Sequence, residues 1–392
     1  MITFEKHIAL SFGTGLGIGT ISTTSGTYVA TLDPTYILYS SSLYPNSTFY
    51  FEALFKTSAG TASATLWDNT AGAAVASAEV TTTSTTTTRV RSSAIALVDA
   101  HEYTMQIKVS GGNTLTYYSS RIIAVQSATN ITATETQIPL ISNVGSVSSG
   151  SYADSGTIEW GYFHYDAANW NGTITMYMEA TFKTSAGTGT VGIHDASNNL
   201  VSGGEITTTS ASYSRVRTSA ITLVDNTDYK VRIKTSAGTL LIADARIIIQ
   251  QANNPTKSES FITLVRTATA TTATSGTFQD SLHKINYDST NWSVDTITWV
   301  HEANANANTA SGTFETYNLT GAARTTGSNI TSTSDTVITR YRSGTVTMPT
   351  TQEITARCDS AAGTIYVAIA TLIAKLTWTN TASGGFFLTN FI

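Results

Sequence analysis

The stretch "FKTSAGT" stands at Phe55–Thr61 and again at Phe182–Thr188. The sequence around it repeats as well. "RVRSSAIALVD" (Arg89–Asp99) returns as "RVRTSAITLVD" (Arg215–Asp225), and "SRIIAVQ" (Ser120–Gln126) returns as "ARIIIQQ" (Ala245–Gln251). A third copy is fainter. "RYRSGTVTM" (Arg340–Met348) follows "RVRTSAITL", and "SAAGTIYVAIATLIAKL" (Ser360–Leu376) follows "TSAGTLLIADARIIIQQ", each 125 positions later. The copies also share openings, "SGTY" at Ser25, "SGSY" at Ser149 and "SGTF" at Ser275. Before these lie the apolar segments "HIALSF" at His7, "QIPLIS" at Gln137 and "SFITLV" at Ser260. A unit of about 125 residues is too long for a solenoid or propeller repeat and has the size of a domain.

The middle copy shows what each unit is made of. Strand-like runs appear at "TQIPLIS", "TIEWGYFHYD", "GTITMYMEATFKT", "GTVGIHD", "EITTTS", "YSRVRTSAITL", "DYKVRIKTS" and "GTLLIADARIIIQ". Between them sit the turn compositions "SSGS", "SAGT", "DASNN" and "VDNTD". No segment keeps a 3.6-residue apolar period over three turns. The reading is therefore all-β, with eight antiparallel strands per unit in two layers. That count resembles the jelly roll more than the immunoglobulin order. The chain divides into three tandem β-sandwich repeats, 1–126, 127–251 and 252–376, and an apolar tail, 377–392.

Alternation along a strand separates its faces. Met176, Met178, Ala180 and Phe182 form an inward row, matched by Phe49, Phe51, Ala53 and Phe55, and by Ile297, Trp299, His301 and Ala303. The opposite face carries Glu52, Glu179 and Glu302. Each repeat also holds an Arg-x-Arg pair: Arg89 with Arg91, Arg215 with Arg217, Arg340 with Arg342. Spaced by two, both arginines lie on one face. Three roles are open to this set: a ligand site repeated three times, an exposed Glu–Arg ladder holding strands in register, or a charged face that pairs with the next subunit. Exposed pairs contribute ~0–1 kcal/mol each.

Composition excludes several functions. The formal net charge is −5, from 21 Lys and Arg against 26 Asp and Glu, with no basic stripe, so no nucleic-acid partner is expected. No apolar run is long enough for a membrane span. The first twenty residues lack the apolar core and cleavage site of a signal peptide. Cys358 is the single cysteine and sits in a strand pattern, as a small buried hydrophobe would. His7, His101, His164, His194, His283 and His301 show no metal-ligand spacing, and "WDNTAG" and "HDASNN" match no fixed calcium pattern. "FGTGLGIGT" (Phe12–Thr20) is spaced G-x-G-x-G-x-G and lacks the dinucleotide fingerprint. No cofactor or metal is expected. The glycine face opposite Leu16 and Ile18 reads either as close packing on a second sheet, in this chain or another, or as a loop.

Two further features bear on partners. Trp170 and Trp292 occupy similar loop positions, and exposed aromatics in jelly-roll carbohydrate-binding modules stack on sugar rings; core anchors are the other reading. Six N-x-S/T sites, at Asn46, Asn130, Asn171, Asn291, Asn318 and Asn329, would be glycan acceptors in a secreted setting. The tail ends "FFLTNFI", and an apolar terminus is stable only where it docks. Burying Phe386, Phe387, Leu388, Phe391 and Ile392 would contribute on the order of 5–10 kcal/mol. The segment would fold back on its own repeat or add to the sheet edge of a neighbour.

The Thr-rich, low-charge strands in tandem resemble phage fibre and bacterial or archaeal surface proteins. That class-level resemblance implies a non-enzymatic structural protein on an extracellular surface or virion. Its repeats would form a rod, and its partners would be copies of itself, joined head-to-tail or side-by-side into a filament, layer or appendage. The alternative is a tandem adhesin recognising cell-surface glycans through Trp170 and Trp292. A glycoside-active enzyme would need paired acids. Glu52, Glu179 and Glu302 recur singly, each facing arginines that hold it ionised.

Overall fold

The structure is a computed structural model that describes residues 1–12, 21–31, 34–141, 145–153, 161–266, 270–271, 278–307, 311–332, 335–360 and 365–381. Among these there is no α-helix, only strands and three short 3-10 turns. The chain is an all-β protein.

In the first repeat, one layer orders its strands Ile2–Phe12, Leu115–Ala128, Ser47–Thr57 and Thr88–Arg91. The other layer centres on Glu102–Val109 and Ala62–Asp68. Short strands flank that pair: Val29–Ala30 and Ile37–Leu38 on one side, Ala73–Ala74 and Val80–Thr82 on the other. Counting interrupted strands once, the orders are 1-8-3-6 and 2-7-4-5, with every pairing antiparallel. This is the jelly-roll order.

The third repeat repeats it. Lys257–Arg266, Ile365–Thr377, Thr296–Ala307 and Asp335–Val346 form one sheet, and Gln279–Tyr287, Gln352–Ser360 and Gly312–Asn318 lead the other. In the second repeat the third and fourth strands merge into Thr173–Asp195, and the seventh and eighth into Thr227–Ala252, so both layers belong to one continuous sheet.

The repeated "TSAGT" is where a strand crosses from one layer to the other. The Thr184 hydroxyl donates to the Ala186 carbonyl at 2.6 Å, and Thr235 does the same to Ala237 at 2.7 Å. The two corners clasp each other: Thr188 N–H donates to Ser236 Oγ and Thr239 N–H to Ser185 Oγ, each at 2.9 Å. The first repeat uses Ser58 and Ser110 in the same way. Gly187 and Gly238 each have φ of +66°, and a Cβ on either would come within 2.9 Å of the facing backbone nitrogen. The sequence reads "SAGT" as an ordinary turn; the structure makes it the hinge of the sandwich.

The inward rows fill the cores: Phe51, Phe55, Met178, Phe182, Trp299 and His301 are buried, as is Cys358. The cores are not separate. Phe261, Val300 and Ile373 of the third repeat join the core of the second, and Ile2, Phe4 and Ile131 join that of the third. The first strand therefore closes back on the last repeat: Thr3 and Ser293 exchange backbone hydrogen bonds of 2.8 Å, and Phe4 stacks on Trp378 at 5.1 Å. The rod expected from tandem repetition is thus replaced by a closed ring. Each repeat touches both others because the three first strands pack together at the centre.

Candidate functional site

The residues kept in all three repeats meet at the junctions between them. Within each repeat, the strand bearing the glutamate pairs with the edge strand bearing the two arginines, so Glu52 faces Arg91, Glu179 faces Arg217 and Glu302 faces Arg342 in register. Glu52 accepts from Arg89 at 2.9 Å and Arg91 at 3.2 Å, Glu179 from Arg215 at 2.6 Å and Arg217 at 2.8 Å, and Glu302 from Arg340 at 2.9 Å and Arg342 at 3.0 Å. The exposed ladder of the sequence reading is corrected here. Glu52, Glu179 and Glu302 are 3%, 2% and 4% exposed, because the neighbouring repeat covers this face. Burial pushes the Glu52 carboxyl up, but Arg121, Arg89 and Arg91 outweigh it and hold it below its usual range.

The first arginine of each pair also crosses to the neighbour. Arg215 Nε donates to Glu102 of the first repeat at 3.0 Å, and Arg89 Nε to Glu353 of the third at 3.3 Å. Arg340 Nε lies 3.0 Å from Asp228 of the second, an ion pair not aligned for a hydrogen bond. Second meets first, third meets second, first meets third. Glu102, Asp228 and Glu353 occupy equivalent positions at the start of the seventh strand. That recurrence was available in the sequence and was missed there.

A second cyclic set runs the other way, closer to the centre. Tyr44 Oη donates to Glu135 at 3.1 Å, Asn169 Nδ2 to Glu259 at 2.8 Å and Asn291 Nδ2 to Glu5 at 2.6 Å. The three glutamates are buried and stand at matching positions of the three first strands. Beside them Lys6 is buried, and its ammonium donates to Thr136 Oγ1 at 2.7 Å, Ser258 Oγ at 2.8 Å and the Glu259 carbonyl at 2.5 Å. All three of its protons are satisfied by the other two repeats. Burial lowers the Lys6 pKa from 10.5 to about 7, against the pull of Glu259, and raises that of Glu259 to about 7.

Trp170 and Trp292 are 4% and 8% exposed, packed in the cores, with Trp292 lying 4.7 Å from Trp299. Their rings are not platforms for a sugar, because their apolar faces are already covered. Tyr44 is buried as well. Two potential glycan acceptors have their amides engaged, Asn171 with Thr256 at 2.7 Å and Asn291 with Glu5 at 2.6 Å. Among the described residues no cluster of His, Cys, Asp or Glu could hold a metal. No described helix is long and apolar enough to cross a membrane.

The docking residues Leu16, Ile18, Phe386, Phe387, Leu388, Phe391 and Ile392 lie outside the described residues. The described first residues of the 377–392 tail are held by the chain's own ring: Asn380 bonds to Ile131, Asn254 and Pro255, and Thr381 to Thr129.

No family model matches the sequence, and no curated protein matches it. Solved structures do show likeness. A structure described as the triple jelly roll fold and turret assembly in an archaeal virus is 10% identical, covering 96% of this chain and 91% of its own, with a TM-score of 0.21. The tandem CBM22-1-CBM22-2 domain of Paenibacillus barcinonensis Xyn10C is 10% identical over 62% of this chain and 91% of its own, at a TM-score of 0.20. Infectious bursal disease virus, Gx strain, is 9% identical over 96% of this chain and 80% of its own, at 0.19. At such scores the likeness carries no functional weight.

Proposed function

We propose that the chain is a non-enzymatic structural protein whose copies assemble side by side on an extracellular surface or in a virion. The observation that supports this is the closed ring. The repeated charged and polar side chains join one repeat to the next in two cyclic sets, which locks three jelly rolls into one building block. Such a block has three similar outer flanks. It favours lateral packing over the end-to-end stacking of a rod.

In this proposal the apolar tail, Phe386, Phe387, Leu388, Phe391 and Ile392, docks on a neighbouring copy, with Leu16 and Ile18 as part of the docking face. Its composition supports this, since five large apolar residues in seven favour burial. The test is negative-stain microscopy with light scattering on the full chain and on a chain ending at Thr381. Ordered assemblies from the full chain and monomers from the shortened one are expected. Monomers from both at high concentration would overturn the proposal.

A further inference from the structure

We propose that the groove between the first and second repeats is a binding site for a neutral saccharide. It is a cavity of about 390 Å³ lined by Tyr36, Asn69 and Glu102 of the first repeat and Tyr213, Ser214 and Arg215 of the second. That volume falls within the roughly 300–1,000 Å³ of small-molecule sites. The site is independent of whether copies of the chain assemble.

The strongest indication is a break in the approximate three-fold repetition. The Arg–acid pair recurs at all three junctions and is structural. The two tyrosines do not recur together. Tyr36 corresponds to Tyr162 and to Lys284, and Tyr213 to Thr87 and to Ile338. The scaffold tolerates a residue without a ring at each position, so the paired rings are not required to close a junction.

The chemistry of the walls narrows the ligand. Arg215 and Glu102, the two charged residues that line the groove, neutralise each other at 3.0 Å, and Arg215 is held further by Glu179 at 2.6 Å, so neither is left unpaired to recruit an ion. Asn69, on the groove wall, has its Nδ2 enclosed and without a hydrogen bond among the described residues, so a small rotation of this amide toward the groove would both expose the donor and satisfy it. Burial and the nearby Glu102 raise the pKa of the Tyr36 phenol, which keeps it a hydrogen-bond donor. Lys183 lies over the Tyr213 ring at 4.3 Å from its centroid and fixes that ring in place. Two tyrosines beside amide, carboxylate and guanidinium groups suit a sugar ring, which has apolar C–H faces and a rim of hydroxyls.

The test uses the full chain against a panel of neutral oligosaccharides built on glucose, galactose, mannose and N-acetylglucosamine, with sialylated and sulfated sugars as charged controls. Saturation-transfer NMR and calorimetry read binding. The variants are Tyr213→Thr, which installs the first repeat's own residue, Asn69→Ala, and Tyr162→Ala as a control at the second junction. The expected result is binding of a neutral sugar that weakens about tenfold or more in Tyr213→Thr, weakens in Asn69→Ala, and is unchanged in Tyr162→Ala. Thermal melting of each variant shows that it folds. No neutral sugar bound at millimolar concentration, or binding that survives Tyr213→Thr and Asn69→Ala, would overturn the proposal.

Discussion

Arg215 of the second repeat and Glu102 of the first are joined at 3.0 Å across a junction, while the same guanidinium holds the buried Glu179 of its own sheet at 2.6 Å. One side chain therefore ties strand to strand and repeat to repeat. Burial would lower the Arg215 pKa, but the two carboxylates outweigh it and raise it, so the charge persists at any pH the fold survives.

The two contacts of Arg215 should differ in weight. The Glu102 partner is partly exposed, so a double-mutant cycle of Arg215→Ala and Glu102→Ala is expected to give a coupling of about 0.5–1 kcal/mol that shrinks in high salt. Chemical denaturation at low and high ionic strength measures it.

Glu179 should matter more. Replacing it with Gln leaves two guanidinium groups facing a neutral amide in a covered site. Because those arginines are themselves partly exposed, a loss of about 2 kcal/mol is expected, below the roughly 3–5 kcal/mol of a fully buried broken pair. The denaturation midpoint reads it, and Glu52→Gln and Glu302→Gln should behave alike.

The corner glycines give a backbone test. Gly187→Ala and Gly238→Ala each place a Cβ against the facing backbone at positive φ, and about 1–3 kcal/mol of destabilisation is expected from each. Gly203→Ala is the comparison: its φ is also positive, but a Cβ there meets nothing within 4 Å, so it should cost less.

The centre of the ring has a pH signature. Glu259 binds its proton more tightly folded than unfolded, so its contribution falls as pH rises from about 4.5 to about 7. Lys6 binds its proton less tightly folded, so its contribution rises from about pH 7 to about 10.5. Together they give a minimum near neutrality. Lys6→Met should abolish the alkaline rise and Glu259→Gln the acid-side fall, each measured as the difference in unfolding free energy from the native sequence across pH 4.5–10.5. Parallel pH curves for the native chain and both variants would refute the assignment.

The fold was legible because strand alternation and the repeat are local properties of the sequence. "ITMYMEATF" shows its inner face in a single line, and the recurrence of "RVR" fixes the register of the units. The ring was not legible. Its closure depends on Thr3 meeting Ser293 and on Phe4 meeting Trp378, contacts between distant segments that no spacing announces. The same cause hid the true environment of Glu52, Glu179 and Glu302: their outward orientation follows from alternation, but what covers that face follows only from the ring. Trp170 and Trp292 are loop residues, as the sequence reads them, and of the two roles open to them, core anchor or sugar platform, their burial selects the anchor.

Lys6 stands where the first strands meet, and its counterparts in the other repeats are Thr136 and Ser260. A trimer of identical chains would have to place three ammonium groups there or none. Joining three copies into one polypeptide removes that constraint, so a lone cation can sit at the hub and distinguish the three arms from one another. Covalent fusion thus does more here than save an assembly step: it permits the copies to diverge, each taking on a task the others lack.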